Sequence, residues 1–238
     1  MLTDVSDDAA RRLRARPWDH DFLVMRQITS AYRGVIARHL SGRGDLTVVD
    51  YGCGPMPYKP LFEPNLRSYI GADLPDNPAA TVHLRSDGAL PLPDESADVV
   101  ISSQVLEHVL DVRHYLSECR RVLRPDGRLL LSTHGMWVYH PHPTDVRRWT
   151  RWGLQFEIEN CGFKSLEVLA CVGPLAYTTQ LRLLLAKGLL LKLGPLGRAL
   201  VAPLALFSQG LMWLEDRITP AAVLTENAAV YVVAARKV

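Results

Sequence analysis

The 238-residue chain is poor in several features that announce a function. Its four cysteines, Cys53, Cys119, Cys161 and Cys171, include no C-x-x-C pair. Spacing therefore offers neither a zinc knuckle nor a dithiol redox motif. Nothing resembles a disulfide framework, so a reducing cytoplasm is the expected compartment. Charge of one sign is also scarce: 27 Lys and Arg face 25 Asp and Glu, a net +2. A nucleic-acid partner needs a clustered basic surface, and none is expected here. Long apolar runs are missing. The longest uncharged stretch of residues 174–220, Ala199 to Leu214, has 16 residues and holds Pro203, Ser208, Gln209 and Gly210. A transmembrane helix needs ~18 or more apolar residues, so no span is expected. Met1 to Arg16 is charged and has no apolar core, unlike a secretory signal.

What is present suits a folded domain. Hydrophobic residues make up 48% and charged residues 22%, near the averages for globular proteins. From Phe22 to Leu40 apolar residues recur every three or four positions, which predicts an amphipathic helix stopped by Ser41-Gly42-Arg43-Gly44. Short strands are predicted at 46–50, 69–73, 82–85, 97–103 and 128–133, with Arg124-Pro125-Asp126-Gly127 as a turn before the fifth. A helix is predicted over 110–122 and another over 151–160, the second ending at Cys161-Gly162. Two last strands fall at 165–171 and 228–235. Alternation of strand and helix implies a mostly parallel sheet covered on both faces. Ligands of such sheets bind beyond the carboxyl ends of the strands.

Asp50, Asp73, Asp87 and Gln104 all fall at or just after predicted strand ends. Gly52 and Gly54 permit a sharp turn and close approach of backbone to a ligand. Asp73 follows at the spacing of an acid that accepts the hydroxyls of a ribose. Asp87 with Gly88 can face an adenine edge. Pro55 and Pro57 carry no N–H, so the turn is badly equipped for a diphosphate. A nucleoside with an amino-acid tail fits better.

The runs VVDYGCGPMPY (48–58), YIGADL (69–74), DGALPLPDESADVVISSQVLEHV (87–109) and RRVLRPDGRLLLSTHG (120–135) resemble the motifs of class I S-adenosylmethionine-dependent methyltransferases of the type 11 group. The resemblance spans roughly residues 46–164, plus the terminal strand. It implies S-adenosyl-L-methionine as cofactor. Asp50, Gly52, Cys53 and Gly54 would surround its methionine part, Asp73 its ribose, and Leu74, Asp87 and Gly88 its adenine. Gln104 would approach the tail. It also implies a Rossmann-like seven-stranded sheet with an antiparallel last strand. Met56 departs from the pattern, standing where a third glycine is common.

Methyl transfer from a sulfonium needs alignment, exclusion of water and often removal of a proton. His108, His134 and His140 are the candidate catalytic residues, because they follow strands four and five and titrate near neutrality. Trp137, His142 and Arg148 are candidate substrate contacts. His140, His142 and Asp145 could instead ligate a metal, but they lie too close together in sequence, and no metal is expected. The run Arg147 to Trp152 is basic and aromatic. It could hold a sugar or an anion, or start a helix with Thr150 as N-cap and Trp152 and Leu154 packed inside.

Three parts are expected: a helical lead-in (1–45), the cofactor domain (46–173 and 221–238) and an apolar helical insertion (174–220). The insertion has no acid between Val168 and Leu214, yet carries Arg182, Lys187, Lys192 and Arg198. It suits a buried lid or homodimer contact. It also suits a surface for a greasy or lipid-linked substrate at the membrane periphery. The expected activity is methylation of a small molecule, preferentially at oxygen of a sugar, glycolipid or secondary metabolite. The alternatives are N- or C-methylation, or a non-catalytic scaffold that keeps the cofactor.

Overall fold

The computed structural model describes residues 12–141 and 144–238. Seven strands form one sheet: β1 (Leu46–Tyr51), β2 (Leu66–Asp73), β3 (Val82–His83), β4 (Ala97–Ser103), β5 (Leu123–His134), β6 (Phe163–Cys171) and β7 (Val230–Lys237). Their order is β3-β2-β1-β4-β5-β7-β6. Neighbours pair in parallel except at β7, which runs antiparallel to both β5 and β6. The sheet expected from the sequence is thus the sheet observed.

Successive residues along the central strands supply opposite faces, as the two-residue period requires. Val49, Val100, Leu129 and Val233 join one core with Leu116 and Cys119 of α2 (Val112–Val122) and Leu154 and Ile158 of α3 (Arg151–Asn160). Val48, Val99, Leu130 and Val232 join a second core with Val24, Ile28, Tyr32 and Val35 of α1 (Phe22–His39). All six residues of β1 are buried, as expected of a parallel strand covered on both sides.

Helix ends follow local chemistry. Asp111 caps α2 by accepting from the His114 amide at 3.0 Å, and Thr150 caps α3 by accepting from the Gly153 amide at 3.0 Å. Gly162 ends α3 at φ 81°. Two expectations fail. Trp152 is exposed, although Leu154 is buried, because the first turn of α3 points Trp152 away from the sheet. Residues 124–127 do not form a separate turn. Ala97 pairs with Leu123 and Val99 with Arg128, so the extra residues are absorbed as an irregularity within β5.

The region before β7 is a helical hairpin, α4 (Pro174–Leu191) and α5 (Gly194–Ile218), followed by the short α6 (Ala221–Glu226). A Cβ on Gly197 would lie 1.7 Å from the Leu190 carbonyl oxygen, so glycine lets the two helices close. The hairpin packs on the α1 side. Gln209 accepts from the Leu23 amide at 2.9 Å, Gln27 donates to Asp216 at 2.6 Å, and the side chains of Gln180 and Gln209 donate to the His20 carbonyl.

Candidate functional site

The strand order turns back between β1 and β4, and a crevice opens beyond their carboxyl ends, where such sheets bind ligands. It holds a cavity of about 880 Å³, within the usual range for small-molecule sites. All nine residues assigned to a cofactor from the sequence line it: Asp50, Gly52, Cys53, Gly54, Asp73, Leu74, Asp87, Gly88 and Gln104.

The turn after β1 is built by donors that point inward. The Gly52 and Cys53 amides donate to the Ala72 carbonyl at 2.8 and 3.2 Å. The Gly54 amide donates to Asp73 Oδ2 at 2.8 Å, and the Met56 amide to the Cys53 carbonyl at 2.8 Å. Gly52 and Gly54 sit at φ 78° and 48°. Met56, where a third glycine was missed, adopts the same left-handed region at φ 54°. A Cβ on Gly71 would meet the Met56 and Cys53 sulfurs at 2.7 and 2.9 Å, so β2 passes tightly beneath the turn.

Asp73 also accepts from the Leu74 amide at 2.8 Å and from Asn77 Nδ2 at 2.8 Å. Asn77 donates to the Gly54 carbonyl as well, which locks turn and acid together. Asp50 is buried between β2 and β4 and accepts from the Tyr69 hydroxyl at 2.6 Å. Burial pushes its carboxyl up to about 7, against the pull of that hydroxyl. Burial likewise raises the Cys53 thiol, which leaves it no nucleophile. Tyr51 donates to the Gly88 carbonyl at 2.5 Å and stacks on Tyr115, so the loop at Asp87 and Gly88 is braced from β1. Gln104, at φ 57°, donates through Nε2 to Ser132 Oγ at 3.0 Å.

Sequence reasoning missed other lining residues, among them Arg12, Tyr58, Ser103 and His114. Arg12 lies in the charged lead-in, which carried no periodic signal. It bears on Asp50 electrostatically, favouring the ionised carboxyl.

The histidine segment forms the far wall. His108 and His140 line the cavity. His108 Nδ1 contacts the Thr144 carbonyl, and Thr144 Oγ1 donates back to the His108 carbonyl at 2.7 Å. A carbonyl only accepts, so Nδ1 carries the hydrogen and Nε2 is the basic nitrogen. Burial, with the neighbouring His134 and His108, lowers the His140 pKa.

Three expected residues stand elsewhere. His134, at the end of β5, is buried and stacks on Trp137 with centroids 5.0 Å apart, so neither lines the cavity. His134 Nδ1 is 2.9 Å from Glu107 Oε1, and Trp137 lies 5.8 Å from Tyr177 of α4. Burial works to raise the Glu107 carboxyl, but His134 and nearby donors outweigh it and hold it low. Arg148 spends its guanidinium on its own loop, donating to Asp145 at 2.5 and 2.7 Å and to the carbonyls of Trp137, Val138 and Arg147. That pairing also removes Asp145 from the suggested metal trio. His142 lies outside the described residues. No residue of α4 or α5 lines the cavity, so the hairpin does not lie over it.

Fold and site together define a class I, Rossmann-like α/β domain with a crevice beyond the carboxyl ends of β1 and β4. Residues 49–131 match the family model described as a methyltransferase domain. A relative from Mycolicibacterium smegmatis, named "Probable S-adenosylmethionine-dependent methyltransferase", is 33% identical over 149 residues, covering 56% of this chain and 57% of its own. A "Ubiquinone biosynthesis O-methyltransferase" of Parvibaculum lavamentivorans is 32% identical over 125 residues, 46% of this chain and 48% of its own. The chain thus spans about half the length of these curated relatives. Among solved structures, the [4+2]-cyclase SpnF aligns with TM-score 0.59 at 15% identity, covering 98% of this chain and 92% of its own. The 1,6-didemethyltoxoflavin-N1-methyltransferase of Burkholderia thailandensis, solved with its substrate and S-adenosylhomocysteine, aligns with TM-score 0.53 at 16% identity over 100% of this chain and 92% of its own. At such identities the likeness is one of fold.

Proposed function

We propose that the chain binds S-adenosyl-L-methionine in the β1–β4 crevice and transfers its methyl group to an oxygen of a small molecule. The carrying observation is the β1 turn. The Gly52, Cys53, Gly54 and Met56 amides are all engaged and residues 55 and 57 have none, so the turn offers a diphosphate no donors. The Asp73 carboxylate keeps an acceptor site beyond its three amide partners, which suits a ribose hydroxyl.

The cofactor supplies a methyl group already activated on a sulfonium. What remains for the protein is to align an acceptor and take its proton. His108 is the residue for that step, since Thr144 fixes its orientation and leaves Nε2 basic. The preference for oxygen draws on relatives named for ubiquinone O-methylation.

The test is ligand-selective stabilisation followed by transfer. S-adenosylhomocysteine should raise Tm and NAD should not. The converse result ends this reading. With a panel of hydroxylated quinols, phenols and glycosides and labelled cofactor, His108→Ala should lower kcat by ~10²–10⁴, the usual worth of a positioned base. Equal rates would remove His108 from the mechanism.

The hairpin supports a second element of the proposal, contact with an anionic bilayer surface. Leu196, Leu200, Phe207, Leu214 and Ile218 recur on one side of α5 and are all exposed. Lys192, Arg198 and Arg217 are exposed on the same hairpin. No helix among the described residues is long and apolar enough to cross a membrane, so a resting contact is the relevant geometry.

A further inference from the structure

We infer that Glu107, His134 and His140 form a binding site for a divalent transition-metal ion at the wall of the cavity. One oxygen and two ring nitrogens from these residues lie within 4.8 Å of one another. They come from three places in the chain: the segment after β4, the end of β5, and the loop beyond it.

The decisive feature is what each donor atom lacks. Glu107 Oε2 accepts from Thr133 Oγ1 at 2.8 Å, but Glu107 Oε1 has no hydrogen-bond partner. His134 Nδ1 and His140 Nδ1 have none either. Glu107 is fully buried and His134 is 4% exposed, and each orphaned polar atom there carries a substantial cost. Glu107 Oε1 and His134 Nδ1 approach to 2.9 Å without the angle of an N–H···O bond. That separation is close to the ~3.0 Å edge of an octahedral shell with ligands at ~2.1 Å, and shorter than the ~3.4 Å edge of a tetrahedral one. A simple Glu107–His134 ion pair would still leave His140 Nδ1 orphaned, since its nearest acid, Asp145 Oδ2, is 3.6 Å away.

The surroundings hold the three side chains in place. Trp137 stacks flat on the His134 ring. The His140 amide donates to Asp145 at 2.9 Å, and Asp145 is fixed by Arg148. The Val146 amide donates to the Glu107 carbonyl, and the Trp149 amide to the His134 carbonyl, both at 3.0 Å. The loop beyond β5 is therefore strapped across the site.

Two imidazoles and one carboxylate select Zn²⁺, Co²⁺ or Fe²⁺ over Mg²⁺ or Ca²⁺, which prefer all-oxygen shells. Three protein donors leave at least one coordination position open, the pattern of a catalytic rather than a structural site. Because His140 also lines the cavity, an ion here could take an oxygen of the methyl acceptor. The inference stands on the donor geometry and does not depend on the methyl-transfer reading.

The test uses Co²⁺ as the probe. Full-length protein is stripped with a chelator, dialysed and titrated with Co²⁺, and its visible ligand-field absorption is followed. The expected result is one Co²⁺ per chain, displaced by Zn²⁺ and not by excess Mg²⁺. His140→Ala, at a half-buried position that should fold, is expected to weaken Co²⁺ binding at least tenfold. Glu107→Gln should weaken it further, with circular dichroism confirming an intact fold. No ligand-field band, or binding unchanged in His140→Ala, would overturn the site. Binding lost in His108→Ala but kept in His140→Ala would overturn it too, by moving the ion to other donors.

Discussion

Gly54 donates its amide hydrogen to the Asp73 carboxylate across 2.8 Å, tying the glycine turn after β1 to the acid that ends β2. The acid read from spacing as a ribose ligand is also a strut of the turn. Asp73→Ala should therefore do two things. Loss of a charged acceptor, worth ~1.5–3 kcal/mol per hydrogen bond, should weaken S-adenosylhomocysteine binding about 10- to 100-fold by calorimetry. Tm should also fall by several degrees. Unchanged affinity with a lowered Tm would leave Asp73 a purely structural role.

Gly52 and Gly54 both have positive φ but differ in what surrounds them. A Cβ on Gly52 would meet Val105 at 2.5 Å, whereas one on Gly54 meets nothing within 4 Å. Gly52→Ala combines left-handed strain with overpacking and should cost about 2–4 kcal/mol of stability in denaturant unfolding. Gly54→Ala should cost only about 1 kcal/mol. Its methyl group enters open space at the cavity, so its main effect should be on cofactor affinity. Equal destabilisation by the two would contradict this packing.

Burial holds the Asp50 carboxyl up near 7, with Tyr69 and Arg12 opposing and Asp73 adding to the rise. An unfolded chain gives up this proton near 4. Between those values the unfolded state has lost the proton and the folded state retains it. The stabilising contribution is thus full below about 4 and lost as pH rises through 7. Asp50→Asn keeps an acceptor for Tyr69 and abolishes the titration. Relative to wild type, it should gain at least about 1 kcal/mol of stability between pH 5 and pH 8, since one pH unit of displaced titration corresponds to ~1.4 kcal/mol. A pH-independent difference between the two proteins would show that Asp50 is ionised throughout.

The half of the site built on strand ends was legible because its signals are local. Asp50, Gly52, Gly54, Asp73 and Asp87 each follow a β-branched or apolar run, and a parallel sheet brings such ends to one crevice. Even the missing third glycine was a readable departure, which Met56 meets by adopting glycine's conformation. The opposite wall was not legible. Proximity in sequence joined His140, His142 and Asp145, whereas the fold gives Asp145 to Arg148 and brings His140 to Glu107 and His134. That exchange depends on how the loop beyond β5 folds back over β4, and no periodicity encodes such a path. Likewise, the basic-aromatic run suggested Arg148 as an anion contact. Its five donors are consumed by carbonyls and Asp145 of its own loop, which sequence alone does not report.

The exposed stripe on α5 carries the last prediction. Burying ~100 Å² of apolar surface contributes roughly 2.5 kcal/mol, so a few of these side chains inserted at an interface would hold the protein reversibly. No acid lies between Val168 and Leu214, and the two acids that follow in α5 are engaged within the protein, Glu215 by Thr179 and Asp216 by Gln27 and the Gly173 amide. The protein should co-float with vesicles containing phosphatidylglycerol, and binding should fall with salt as the electrostatic part is screened. Vesicles of phosphatidylcholine alone should retain much less. Phe207→Asp with Leu214→Asp should abolish flotation without lowering Tm, because both side chains are half or more exposed. Absence of flotation, with a mass in solution twice that of one chain, would assign the stripe to a second copy instead of a bilayer. In that case the double variant should be monomeric.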